Sequence, residues 1–232
     1  SKYVKNKDSN ILDFGCGGGV PLVLLKMAGY EKIYGVDLKK LQQNKINKQK
    51  YFSKLFRLDL DTFSYIVNGK TEFESEKFDV IISLQVLEHV KNFNEYFDEV
   101  VRLLKKDGIL ILIFPHRFKI YDSHTKLYFV HYFPKVIRGF FYNYFTKEKK
   151  QYYFDLLNLK SPFFHINKAN EYFHNVNRIK ETKSAHLDIS SYDGNFYIKK
   201  IFNYLSKFLP LSIYNFISIF MLDSILICKN KK

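Results

Sequence analysis

The residues best placed to do chemistry begin with Asp13-Phe14-Gly15-Cys16-Gly17-Gly18-Gly19, an acidic residue leading a glycine-rich run. Ile11-Leu12 precedes it, and the apolar stretch Pro21 to Ala28 follows. A strand, a glycine turn and a helix in that order cradle a nucleotide-like ligand in an open α/β sheet. Glycine suits the turn because a Cβ would hold the backbone off the ligand. The dinucleotide pattern G-x-G-x-x-G, counted from Gly15 and Gly17, requires glycine at position 20, where Val20 stands. Asp37 lies 18 residues beyond Gly19, near the distance at which an acidic side chain meets a ribose diol. A helix N-cap is the competing role for Asp37.

Alternating strands and helices over the first ~115 residues must position these groups. Strands are expected at Ile11–Phe14, Lys32–Val36, Leu55–Leu60, Asp79–Leu84 and Ile109–Phe114. Helices are expected at Pro21–Gly29, at 39–50 and at Val86–Leu104. Val80, Ile81 and Ile82 are apolar on both faces, as in a central parallel strand. A helix from Asn167 to about Asn175, a strand from Arg178 to Lys183, helices at Phe196–Phe208 and Ser212–Phe220, and a last strand at Leu222–Cys228 complete the pattern. The expected fold is a doubly wound, mostly parallel seven-stranded sheet. One domain spans 1–232, with a helical cover at 116–165 inserted after strand five.

Composition narrows the function classes. A chain of 232 residues, 47% hydrophobic and 26% charged, buries a sizeable core. Two cysteines make no disulfide framework, and no signal segment precedes the first strand, so a reducing cytoplasmic setting is expected. The chain opens without Met, which suggests that an upstream helix is missing. The longest uncharged run, Phe208 to Leu222, has 15 residues and contains Pro210, too short to span a bilayer. The net charge of +14 suits anionic lipid or an anionic substrate, or reflects a Lys-, Asn- and Ile-rich composition. No compact Lys/Arg stripe interleaved with aromatics argues for nucleic acid.

The acidic residue ahead of G-x-G-x-G resembles the first motif of class I S-adenosylmethionine (SAM) methyltransferases of the type 11/12 kind. Asp37, Asp59 and the strand-four element Leu84 to Val90 extend the resemblance over roughly residues 10–115 and the last strand. It implies SAM as cofactor, S-adenosylhomocysteine (SAH) as product and no metal. The implied donor-binding residues are Asp13, Gly15, Cys16, Gly17, Gly19, Asp37, Leu38, Asp59, Leu60, Leu84 and Gln85. Asp13 would orient the glycine loop or meet the methionine amino group, and Asp37 the ribose. Asp59 would accept from the adenine amine with Leu60 packed on the ring, Asp61 being the competing carboxylate. The sulfonium carbon is already activated, so holding donor and acceptor in line supplies most of the rate.

Gln85-Val86-Leu87-Glu88-His89 is similar to the E-x-x-E-H element of ubiquinone-pathway and small-RNA methyltransferases, in which two acids and the His help bind a divalent metal. On an α-helix these positions share a face. The neutral amide of Gln85 weakens such a site, because hard cations favour charged oxygens. Glu88 and His89 are therefore weak metal candidates, and His89 is an acceptor-site candidate.

After strand five, His116, His124 and His131 are candidates for a general base or an acceptor contact. With Pro134 they resemble an H…H-x-x-P subgroup whose members sit among surface-glycan biosynthesis proteins. Arg117, Lys119 and Arg138 would receive an anionic acceptor or form a solvated face. The expected activity is O-methylation of a small or glycan-linked acceptor. Two alternatives stand beside it: a lipid- or quinone-like acceptor met at a membrane surface, and a non-catalytic binding subunit.

Overall fold

The computed structural model describes residues 4, 6–38, 43–56, 58, 62–122, 127–134, 137–140, 144, 158–179, 210, 212–213, 216, 219–220 and 223–232. Nine strands occur among them: β1 (Ile11–Phe14), β2 (Ile33–Leu38), β3 (Phe63–Ile66), β4 (Phe78–Leu84), β5 (Leu104–Phe114), β6 (Tyr121–Asp122), β7 (Leu127–Tyr128), β8 (Phe173–Arg178) and β9 (Ser224–Lys231). The α-helices are α1 (Val20–Met27), α2 (Gln43–Phe56), α3 (Phe93–Leu103) and α4 (Pro162–Tyr172). Seven strands form one sheet in the order β3-β2-β1-β4-β5-β9-β8. The first five pair in parallel. β9 runs antiparallel between β5 and β8. This is a mixed seven-stranded sheet, parallel but for the two pairings of β9.

Two cores follow from the period-two alternation of the central strands. Leu12, Phe14, Val36, Ile81 and Leu112 face α3 and α4, packing with Phe97, Val100, Leu103 and Ala169. Ile11, Ile33 and Val80 face the other way, onto Leu22 of α1 and Leu58. Asp13 follows Ile11 by two residues and shares that second face, where its residue is only 1% exposed.

Several boundaries differ from the sequence expectation. Leu55 and Phe56 belong to the end of α2, and β3 begins at Phe63. Phe52 and Phe56 pair at helical spacing, with ring centroids 6.2 Å apart, which carries the helix through the expected strand. The stretch after β4 is not one helix. A 3₁₀ turn covers Leu87–His89, and α3 starts afresh at Phe93 with the Asn92 side chain accepting from the amides of Asn94 and Glu95. β5 begins at Leu104, and Asp107-Gly108 lies within a register shift against β4. α4 is capped by Ser161, whose hydroxyl accepts from the Phe164 amide, and Pro162 opens it. β8 then spans Phe173–Arg178, earlier than Arg178–Lys183. Between 116 and 165 the described residues combine the β6–β7 hairpin, a 3₁₀ turn at Val130–Tyr132, helical residues 137–140 and the start of α4. Residues 196–208 lie outside the described set, and the described residues of 212–220 are helical.

Candidate active site

The carboxyl ends of β1, β2 and β4 converge on the glycine turn. The Gly15 and Cys16 amides both donate to the Val36 carbonyl, at 2.8 and 2.9 Å, which fastens the start of the turn to β2. Gly15 has φ +91°, and a Cβ there would stand 2.4 Å from Val86 Cγ2. The turn therefore sits directly against the residues that follow β4. Gly17 has φ +53° and open space where a Cβ would project. Its amide donates to Asp37 Oδ2 at 2.6 Å, and its carbonyl accepts from Gln49 Nε2 of α2 at 2.6 Å. The buried Cys16 thiol lies 3.9 Å from the same Gln49 nitrogen. Gly19 is the N-cap of α1.

Asp37 ends β2 and reaches back to the loop. Its Oδ1 accepts from the Leu38 amide at 2.7 Å, while the Leu38 side chain is exposed. A carboxylate has about four lone-pair sites, so these two bonds leave capacity for a diol. The carboxylate oxygens of Asp13 are buried without a hydrogen-bond partner among the described residues. Burial raises its pKa from 3.8 to about 7, and the nearby Asp37 carboxylate adds to the rise. Among the described residues, the turn is held by the Val36 carbonyl and Asp37, not by a hydrogen bond to Asp13. A buried carboxyl with both oxygens unused, an open Gly17 and Asp37 at the adjoining strand end fit a ligand bearing a cation and a diol, as SAM does. Asp59, Leu60 and Asp61 lie outside the described residues, and the strand expected to end there runs over Phe63–Ile66 instead.

A second set of groups gathers where β4, β5 and β9 meet. Leu84 pairs with Ile113, and Phe114 pairs with Ser224. Gln85, just past Leu84, takes a left-handed φ of +57° and donates its amide to the Ile113 carbonyl at 2.8 Å. Its side chain donates to Asp223 Oδ2 at 2.8 Å. Lys119 donates to the other oxygen, Oδ1, at 2.6 Å. Lys119, read from sequence as an anion receiver or a solvated face, is buried in this ion pair.

His116 is fully buried at the end of β5. His131 is buried in the 3₁₀ turn with its Nε2 3.8 Å from Asp122 Oδ1. His124 lies outside the described residues. Arg117 is exposed, with its amide bonded to the Lys160 carbonyl; Arg138 is half-buried, its amide bonded to the Pro134 carbonyl. The helical face proposed for Gln85, Glu88 and His89 does not form. The left-handed Gln85 and the 3₁₀ turn leave Glu88 buried and His89 exposed. Asn158 clamps this turn through bonds to the carbonyls of Glu88 and Val90, at 2.6 and 3.0 Å. Among the described residues no three His, Cys, Asp or Glu side chains cluster as metal ligands would. Sequence reading missed Gln49, Lys119 as a paired group, Asn158 and Asp223. Their roles depend on contacts across 32 to 138 residues, for which local spacing gives no signal.

Comparison with known proteins agrees with this geometry. A family model described as "Methyltransferase domain" matches residues 1–160. The ubiquinone biosynthesis O-methyltransferase of Rickettsia bellii (strain OSU 85-389) is 34% identical over 113 residues, 48% of this chain and 44% of that protein. That of Pelagibacter ubique is 30% identical over 106 residues, 46% of this chain and 42% of that protein. The chain thus spans less than half the length of these relatives. The YcgJ protein of Bacillus subtilis shares the fold at 14% identity, with a TM-score of 0.57 over 100% of this chain and 96% of that one. A SAM-dependent methyltransferase of Mesorhizobium loti does so at 12% identity, with a TM-score of 0.58 over 97% and 93%. These relatives give no support to the surface-glycan association. With the family model covering residues 1–160, the chain belongs to the methyltransferase-domain family, and its sheet has the strand order of the class I SAM-dependent methyltransferase fold.

Proposed function

We propose that this methyltransferase O-methylates an aromatic hydroxyl of a quinone-like acceptor that carries an apolar tail. The observation that carries the reading is the 34% identity to an enzyme named for O-methylation in ubiquinone biosynthesis. The relatives favour this over the glycan-linked acceptor. Exposed Phe129, Tyr132, Phe133 and Phe140, all after β5, add support as an apolar surface near the acceptor side.

SAM, when bound, supplies a methyl group activated by its sulfonium. In this reading Asp37 receives the ribose diol and Asp13 the amino group, while Gly17 leaves room for close approach. His131, whose Nε2 lies 3.8 Å from Asp122 Oδ1, takes the proton that the acceptor hydroxyl gives up. His116, a second buried imidazole that follows β5, lines the acceptor site in this reading. On the same reading the described residues between 116 and 165 belong to an acceptor-binding cover within a single domain. Among the described residues no helix is long and apolar enough to cross a membrane. In this reading the net charge of +14 and the exposed aromatics bring the enzyme to anionic lipid, where such an acceptor resides.

The test is methyl transfer from labelled SAM to a prenylated catechol, to protocatechuate and to a sugar-phosphate panel. The reading expects methylated catechol, fastest with the prenylated form presented in anionic vesicles, and binding to those vesicles that vanishes at high salt. Turnover of the sugars alone would overturn it.

A further inference from the structure

The buried pair at the junction of β4, β5 and β9 has a geometry that burial alone does not explain. The Lys119 and Asp223 side chains are 4% and 7% exposed. Asp223 precedes Ser224, the first residue of β9, and Ser224 lies opposite Phe114, the last residue of β5. One Asp223 oxygen accepts from Lys119 at 2.6 Å and the other from Gln85 at 2.8 Å. A carboxylate only accepts, so Gln85 must present its amide nitrogen, which fixes that side chain's orientation. Gln85 also holds the left-handed backbone that begins the turn after β4. Strained residues of this kind persist where their surroundings over-determine them, and they gather at functional sites.

Each partner belongs to a different part of the site. Val86, next to Gln85, packs against Gly15 of the donor loop. Lys119 lies in the segment that leaves β5 and leads to the β6–β7 hairpin. The Lys119 amide bonds the His116 carbonyl, and the Ile120 amide bonds the Phe220 carbonyl. A buried ion pair is weak evidence for stability, since an apolar pair of similar volume often serves as well. What the pair does supply is a fixed direction between two chain segments.

We infer that Asp223 and Lys119 are positioning residues for methyl transfer, joining the turn that abuts the donor loop to the 116–122 segment on the acceptor side so that the two keep one register. This rests on the reading above that the acceptor lies beneath the segment after β5. In-line transfer is sensitive to small misplacement of donor and acceptor, so loosening this joint slows the reaction without removing a group that touches either substrate.

The experiment compares the wild type, Asp223→Leu, Lys119→Met and the double variant. Each single variant buries an unpaired charge and is expected to melt earlier. The double variant removes both charges and is expected to recover most of the melting temperature. Hydrogen exchange of peptides 84–90 and 116–122 is expected to run about tenfold faster in all three variants, the double included. SAH affinity by calorimetry is expected to stay within about threefold of wild type, because the donor loop keeps its own bonds. With protocatechuate as the probe acceptor, kcat is expected to fall about tenfold in the double variant despite its recovered stability. If the double variant recovers both the exchange pattern and kcat along with stability, the pair is structural only and the inference is overturned. If exchange quickens only near 219–223, the joint does not reach Gln85 and the inference is likewise overturned. If wild-type enzyme methylates neither protocatechuate nor the prenylated catechol, the acceptor reading fails, and the exchange data still decide the joint.

Discussion

Replacing Asp13 by Asn isolates the energetic burden of the donor site. Asp13 is 1% exposed, and neither of its carboxylate oxygens is hydrogen-bonded among the described residues. Burial first, and the Asp37 carboxylate second, raise its pKa from 3.8 to about 7. Below pH 3.8 the group is protonated in both folded and unfolded chains and makes no difference. Between 3.8 and about 7 the folded chain keeps a proton that the unfolded chain has lost, so stability falls as pH rises. Above about 7 the loss is complete. A rise of about three pH units corresponds to roughly 4 kcal/mol, of which about 2.5 kcal/mol accrues between pH 5 and pH 8. Asp13→Asn abolishes this dependence. Urea unfolding of both proteins at pH 5 and pH 8 should show the variant gaining about 2.5 kcal/mol on the wild type across that interval, while groups common to both cancel. The same variant should bind SAH more weakly, because an amide cannot neutralise an ammonium. Stability differences that stay constant between the two pH values would refute the assignment of a buried, unpartnered carboxyl.

Three further outcomes follow from the geometry. Gly15→Ala should lose about 2–4 kcal/mol of stability, since the added carbon meets Val86 in a left-handed backbone, whereas Gly17→Ala should lose only about 1–2 kcal/mol yet weaken SAH binding. Thermal unfolding and calorimetry separate the two. Gln85→Glu sets a carboxylate against Asp223 and should lose about 1–3 kcal/mol at neutral pH, a loss that shrinks on acidification as the carboxyls protonate. Dialysis against EDTA should leave turnover within about twofold of the untreated enzyme, since Glu88 points into the core and His89 to solvent.

The parts legible in the sequence were those set by local pattern. Asp13 to Gly19 announced the glycine turn between β1 and α1 because strand, glycine and helix signals are contiguous there. The apolar run Val80-Ile81-Ile82 marked the sheet centre for the same reason. β3 was misplaced because Leu55-Phe56 reads equally well as a strand start or as a helix's last turn. The Phe52–Phe56 pairing decided for the helix. The Ser161-Pro162 cap and first-turn pair was a readable signal for α4, and it lost to Asn167, an equally good capping residue inside the helix. Gln85 was assigned to the cofactor by its position after β4. Its side-chain partner in the fold, Asp223, is 138 residues away and becomes its neighbour only through the antiparallel β9. Asp13 was expected to orient the turn or to meet the methionine amino group; the turn's start is fastened by the Val36 carbonyl, which no side-chain pattern reveals.

In the function proposed above, the edge formed by Asp13, the glycine turn and Asp37 holds the methyl donor. Calorimetric titration of the protein with SAH, in wild type and in Asp37→Ala, tests it most directly. One-to-one binding at sub-millimolar ligand, weakened about tenfold or more in Asp37→Ala by loss of a charge-assisted contact worth at least ~1.4 kcal/mol, is the predicted result. Absence of binding by the wild-type protein, or equal affinity in the variant, would contradict it.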